Sequence, residues 1–250
     1  MSHKTEGIII KRQNFSEADR ILTIMTERFG KVRAIARGVR KITAKLAGNL
    51  EPFMLVGLEL HEGKTFYTVT GAGIIADWPN VHINLGKMAD AFYLGELIDK
   101  FEWERQRSPE VFALLQEMLA TLDRAETSLA MRAFEIKLLH LAGFVGDLFE
   151  CMHCRKKLCP EENYWDGEEG GIICGRCQSI YHHGSAVSND LIKLLRLLVE
   201  KGFEPIGGIK VSAAVAGEAR TVLSIYLKHV LESDLKTEHF RQALEKNPLF

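Results

Sequence analysis

The sequence predicts an α+β protein, a small N-terminal β-barrel followed by an α-helical domain with an inserted zinc ribbon. Three observations lead there. Residues 5–76 fall into short β-branched runs joined by tight turns, the hydrophobic period lengthens to that of helices after Trp78-Pro79, and all five cysteines lie between Cys151 and Cys177. The expected domains are residues 1–79 for the barrel and 80–250 for the helical part, with the ribbon at about 149–182.

The barrel is read strand by strand. Gly7–Ile10 is β-branched and continues into Lys11-Arg12, and Arg20–Thr26 (RILTIMT) is a second apolar run. Phe29-Gly30 makes a turn. Lys31–Arg37 then alternates, with Val32, Ala34 and Ala36 on one side and Lys31, Arg33 and Arg37 on the other, as a strand lining a core and facing solvent would. Phe53–Leu60, a Glu62-Gly63-Lys64 turn and Thr65–Val69 complete five strands. So many short strands in so few residues suit a closed barrel, an OB-fold first and an SH3-like barrel second.

Inside this barrel the stretch Arg28–Leu50 carries seven cations, Arg28, Lys31, Arg33, Arg37, Arg40, Lys41 and Lys45, and no carboxylate. Elsewhere the charges are mixed, since the chain has 32 Lys and Arg against 33 Asp and Glu. Residues 1–80 carry a net charge of +4 and the remainder −5. A gap in the acids this long is the footprint of a surface that meets a polyanion, and all seven side chains are candidate nucleic-acid contacts. A basic but merely solvated strand and loop is the competing reading. Phe15 and Phe29 are the nearest aromatics for base stacking, and barrel core is the first reading of each.

Beyond Pro79, Leu85, Met88, Phe92, Leu94, Leu97, Ile98 and Phe101 recur at helical spacing. Ser108-Pro109-Glu110 opens a helix with the stripe Val111, Leu114, Leu115, Met118 and Leu122. A third stripe, Met131, Phe134, Leu138 and Leu141, is closed by Gly143. Ser188-Asn189-Asp190 caps a helix through Leu198, and Ala219–Leu231 is the last long one. These stripes are helix–helix core.

Cys151-x-x-Cys154, nineteen residues, then Cys174-x-x-Cys177 is the spacing of a four-thiolate site. Two tight turns each supply two sulfurs, which can close a tetrahedron about 2.3 Å from Zn²⁺. One structural zinc per chain is therefore expected, with disulfides as the lesser alternative in a reducing compartment. Four sulfurs leave no open position, so such a metal stabilises the fold and does no catalysis. Cys159 is left as a spare thiol; His153, His182 and His183 could each replace a cysteine as ligand, and an ordinary surface histidine is the first reading of each.

Composition limits the class further. At 250 residues, 46% apolar and 26% charged, the chain is that of a soluble protein with room for real cores. Apolar runs such as Gly7–Ile10 fall far short of the roughly 20 residues that cross a bilayer, and MSHKTEGIII has no apolar segment behind a basic end. A cytoplasmic, nucleoid-associated protein with no membrane partner is expected. Gly57–Thr65 imitates a phosphate-binding loop, but Leu58 stands where the pattern needs Gly. Gly71-Ala72-Gly73 echoes a dinucleotide fingerprint that Trp78-Pro79 cuts short before any helix. No G-x-S-x-G occurs, and no catalytic constellation emerges, so a non-enzymatic protein is expected.

With these pieces placed, the chain resembles the RecO family of bacterial recombination mediators and DNA repair proteins over essentially its full length. The likeness rests on Thr5-x-Gly7-Ile8, Glu17-x-Asp19-x-Ile21-Leu22-Thr23, Gly30 and Ala36-Arg37-Gly38-x-Arg40-Lys41. Arg132-x-Phe134-Glu135-x-x-Leu138-Leu139, Cys151/Cys154 and Gly171-x-x-Cys174-x-x-Cys177 continue it in the same order. Val39 departs from the family's usual Ala, and the loop after Lys41 lacks its Pro-Lys-Ser character. The resemblance implies an OB-fold, a helical domain and a structural zinc. It also implies a protein that binds single- and double-stranded DNA and anneals complementary strands. With RecR, it helps RecA replace single-strand binding protein (SSB). Arg132, Phe134 and Leu138 are, by position in the motif, candidates for docking the acidic-aliphatic tail of SSB. A zinc-ribbon RNA-binding or transcription-associated module is the alternative function.

Overall fold

Five strands in the first third of the chain close on themselves. In the computed structural model, which describes residues 1–41, 46–101, 106–125 and 128–246, they are β1 (Ser2–Asn14), β2 (Arg20–Thr26), β3 (Gly30–Ala36), β4 (Leu55–His61) and β5 (Tyr67–Ala76). The barrel order is β1-β2-β3-β5-β4. Neighbours are antiparallel except β3 and β5, which run parallel with Ala34 opposite Tyr67 and Ile35 opposite Thr68. β1 is long because it serves two partners, β4 along its first half and β2 along its second. At the changeover Gly7 leaves no room for a side chain, since a Cβ there would lie 2.7 Å from Ile24 Cγ2 and 2.9 Å from Leu58 Cδ1. A bulge between Ile9 and Lys11 then bends the strand around the barrel.

Ile9, Leu22, Ile24, Val32, Ala34, Ala36, Leu58 and Val69 fill the interior. Ile8, Ile10 and Met25 point the other way and are buried as well. The reason is a helical cover. After α1 (Pro79–Ile83), α2 (Leu85–Lys100) packs on β1, and α3 (Pro109–Arg124) packs on β1 and β2. A strand buried on both faces reads as a continuous apolar run, which explains why RILTIMT shows no alternation. The expected fourth strand starts two residues late because Phe53 sits in the left-handed region, with φ 62°. The fifth runs on to Ala76, so Gly71-Ala72-Gly73 is strand.

The chain divides into two compact units, Met1–Arg124 with the segment from Leu235 onward, and Ala125–Asp234. In the second, α4 (Ser128–Leu141) ends at Gly143, where Phe144 N–H reaches Leu139 O. The ribbon follows as a three-stranded antiparallel sheet in the order β7-β6-β8, built from β6 (Asn163–Asp166), β7 (Gly171–Cys174) and β8 (Ser185–Val187), with α5 (Gly175–Tyr181) between β7 and β8. Then come α6 (Asn189–Glu200), α7 (Phe203–Ile206) and α8 (Ala213–Leu231). Ser188 Oγ accepts the Leu191 N–H at 3.1 Å, the expected cap. Ser212 caps α8 in the same way, which moves its start six residues ahead of Ala219. α4, α6 and α8 pack on one another, and Phe134, Leu138, Leu195, Leu198 and Leu223 are fully buried.

The final helix, α9 (Lys236–Lys246), returns to the first unit and packs on α2. Glu96 accepts the N–H groups of Lys236 and Thr237 and the Thr237 hydroxyl, at 3.1, 2.9 and 2.6 Å. Among the described residues no helix is long and apolar enough to cross a membrane.

Candidate nucleic-acid interface and metal centre

The basic stretch does not form one continuous surface. β3 turns Val32, Ala34 and Ala36 inward and Lys31, Arg33 and Ile35 outward. Lys31, with a side chain only 12% exposed, donates to the backbone oxygens of Asp99 and Phe101 at the C-terminal end of α2. A cation there offsets the partial negative charge of unsatisfied helix carbonyls. Lys11 joins it through an ion pair to Asp99 at 2.6 Å. Arg28 lies in the β2–β3 turn, at the other end of β3 from Arg37, and donates to Lys4 O at 3.1 Å.

Arg37, Arg40 and Lys41 are exposed in the turn that leaves β3. Three hydrogen bonds pin this turn to the β1–β2 loop. Gly38 N–H donates to Asp19 Oδ1 at 2.8 Å, Arg40 N–H to Ala18 O at 3.0 Å, and the Arg40 guanidinium to Ser16 O at 2.6 Å. Exposed Arg33 lies nearby on β3, its guanidinium 4.8 Å over the Phe66 ring. Among the described residues, none of Arg28, Arg33, Arg37, Arg40 and Lys41 pairs with a carboxylate. Arg12 and Arg20 differ, since both pair with Glu51. Lys45 lies outside the described residues.

The two aromatics part company. Phe29 packs against the barrel core, with His3 and Tyr67 as ring neighbours. Phe15 is 56% exposed, beside Ser16 in the loop that holds Arg40, so the core reading fails for it. A hairpin loop tip leaves this aromatic in solvent, between the strand runs that end at Arg12 and begin at Arg20 in the sequence.

A second correction concerns α4. Phe134 and Leu138 are fully buried, so they pack the core and present no docking surface. Arg132, 11% exposed, forms an ion pair at 2.5 Å with Glu135, which is completely buried. Phe134 and Leu138 thus stand in the helix interior, and Arg132 keeps a partly exposed side chain in an ion pair with buried Glu135.

The four expected cysteines do converge. The sulfurs of Cys151, Cys154, Cys174 and Cys177 all lie within 4.8 Å of one another. Cys154 Sγ and Cys174 Sγ are 3.9 Å apart, against an edge of about 3.8 Å for a tetrahedron with 2.3 Å metal–sulfur bonds. Burial alone would raise the Cys151 thiol, but N–H groups of Cys154, Cys174 and His153 aimed at its sulfur bring it down to about 6. Burial and the other three sulfurs push Cys177 up to about 12. So crowded a set of sulfurs suits a divalent cation, which replaces their protons and neutralises them together. The geometry fits one metal ion. Cys159 is exposed and outside the cluster.

The fold and the cluster define a two-part protein, a closed β-barrel whose exposed cationic turn has no carboxylate partner among the described residues, and a helical unit carrying four cysteines that can hold one metal ion. The family model "Recombination protein O N terminal" matches residues 1–78 and "Recombination protein O C terminal" matches residues 83–239. A DNA repair protein RecO from Dehalococcoides mccartyi strain BAV1 is 36% identical over 242 residues, covering 96% of this chain and 95% of the relative. Proteins of the same name from Roseiflexus sp. strain RS-1 and Syntrophus aciditrophicus are 33% and 32% identical, covering 95% and 94% of this chain and 84% and 93% of their own. The chain belongs to the recombination protein O family.

Proposed function

We propose that this chain is a DNA-binding recombination mediator that acts in DNA repair. It anneals complementary strands and, with RecR, helps load RecA on single-stranded DNA coated by SSB. Family membership supports the repair and recombination role. One structural observation carries the DNA-binding part: Arg33, Arg37, Arg40 and Lys41 are exposed without carboxylate partners around a turn braced by Asp19 and Ala18, with exposed Phe15 in the bracing loop. We read the barrel, by its 1-2-3-5-4 strand order, as an OB-fold, and residues 1–79 as the nucleic-acid-binding domain.

Arginine and lysine at a barrel end hold sugar–phosphate chains through charge, whatever the base sequence. Two strands held on one cationic surface have their mutual repulsion reduced, so pairing proceeds without a nucleotide cofactor. Arg28, at the opposite end of β3 from Arg37, and Lys45 are further candidate phosphate contacts, and Lys31 holds the end of α2. The metal of the four-cysteine centre is structural zinc, one per chain.

The test is fluorescence-monitored annealing of complementary strands coated with SSB, with RecA loading followed in parallel after adding RecR. Faster annealing by this protein without ATP is the expected result. No acceleration, with the protein folded and bound to DNA, would refute the mediator role.

A further inference from the structure

The ribbon contains a second convergence of donor atoms, separate from the four thiols. His153 lies in the first cysteine knuckle, Asp166 ends β6, and His183 follows α5, yet one donor atom of each lies within 4.8 Å of the other two. Asp166 is 1% exposed. Its Oδ1 is held by the N–H groups of Glu168 and Glu169 at 2.9 and 3.0 Å, which aims Oδ2 at the histidines. His183 Nδ1 is 3.0 Å from Oδ2 and His153 Nε2 is 3.9 Å from it. Even so, Oδ2 and His153 Nε2 are buried with no hydrogen-bond partner. The 3.0 Å contact therefore lacks the alignment of a hydrogen bond.

That arrangement is poor for a hydrogen-bonded pair and natural for two ligands of one ion. Ligands of a tetrahedral metal stand side by side, about 3.4 Å apart for bonds of about 2.1 Å, with each lone pair aimed at the ion between them. The backbone is bent to create it. His182 adopts φ 57° and Gly184 φ 93°, and a Cβ at Gly184 would lie 2.9 Å from Ile173 Cδ1. This turn returns His183 to β6 just before β8 pairs with it. Tyr181 stacks on His153 at 4.5 Å and holds its ring.

We propose that His153, Asp166 and His183 form a second metal site, which takes a divalent d-block cation of the zinc type with solvent as its fourth ligand. Two imidazoles and a carboxylate match such ions better than the hard, all-oxygen preference of Mg²⁺ or Ca²⁺. The ion ties the turn at residues 182–184 to β6.

The experiment uses full-length protein whose thiolate site is filled, as verified by elemental analysis. Titration with Co²⁺ is followed by calorimetry and by visible absorption. One additional equivalent is expected, with ligand-field bands and no thiolate-to-metal charge-transfer band. His183→Ala, at a 35% exposed side chain, should weaken this second binding by at least about tenfold while the first metal remains. Asp166→Asn, which keeps an Oδ1 for the turn, should act likewise. Absence of a second equivalent in the parent protein, displacement of the first metal, or undiminished binding in both variants overturns the proposal.

Discussion

Lys31 and Arg37 come from one basic stretch and face the same side of the alternation, yet their surroundings give them different roles. Lys31 closes the end of α2, whereas Arg37, Arg40 and Lys41 stay in solvent. The triple variant Arg37→Ala, Arg40→Ala, Lys41→Ala should weaken single-stranded DNA binding and reduce the log–log salt slope by about 2, at about 0.7 per lost phosphate contact. Anisotropy titrations at several salt concentrations measure this, and an unchanged slope would remove the assignment. Lys31→Ala should instead cost about 1–3 kcal/mol of stability, the loss of charge-assisted hydrogen bonds, with little change in slope. Arg132→Ala leaves the Glu135 carboxylate buried opposite a lost cation. A destabilisation of about 3–5 kcal/mol is expected, read by denaturant unfolding.

Among the elements, α9 is held to α2 by Glu96 at its start and by Arg241, which pairs with Asp90 at 2.5 Å and lies over the Tyr93 ring. Burial works to raise the Glu96 carboxyl, but the Thr237 hydroxyl, the N–H groups of Thr237 and Lys236, and the Lys100 charge together hold it below its ordinary 4.5. A carboxylate depressed on folding stabilises fully above its unfolded value, and that contribution disappears as pH falls from there through the lower folded value. The protection factors of α9 amides, relative to those of the barrel strands, should therefore fall as the pH drops below the ordinary carboxyl value. Glu96→Ala should bring the same loosening at neutral pH, and equal protection of α9 in both proteins would disprove it. Sequence alone could not place this helix. KTEHFRQALEK offers only Phe240, Ala243 and Leu244 as apolar residues, and the carboxylate that caps its start lies 140 residues away in α2.

For the molecule as a whole, the four-cysteine cluster and the barrel belong to different compact units. Removal of the metal by a chelator should lower the protection of ribbon and α4–α8 amides while leaving barrel amides and DNA affinity nearly unchanged, because binding energy at a structural site is folding energy of the unit that contains it. Hydrogen exchange with and without chelator tests this, and uniform loosening of both units would contradict it.

The sequence by itself determined the features written in local chemistry. Two close cysteine pairs bring four sulfurs into reach through short turns, Ser188 marks a helix start through its own hydroxyl, and alternation from Lys31 to Arg37 separates core from solvent. What tertiary structure decided were the questions that depend on distant neighbours. Only the end of α2, some seventy residues away, makes Lys31 a structural cation instead of a free one. Only the turn before β8 brings His183 to Asp166. Periodicity records that a side chain is apolar or charged; which surface or partner it meets is settled by contacts between segments far apart in the chain, and no spacing rule contains them.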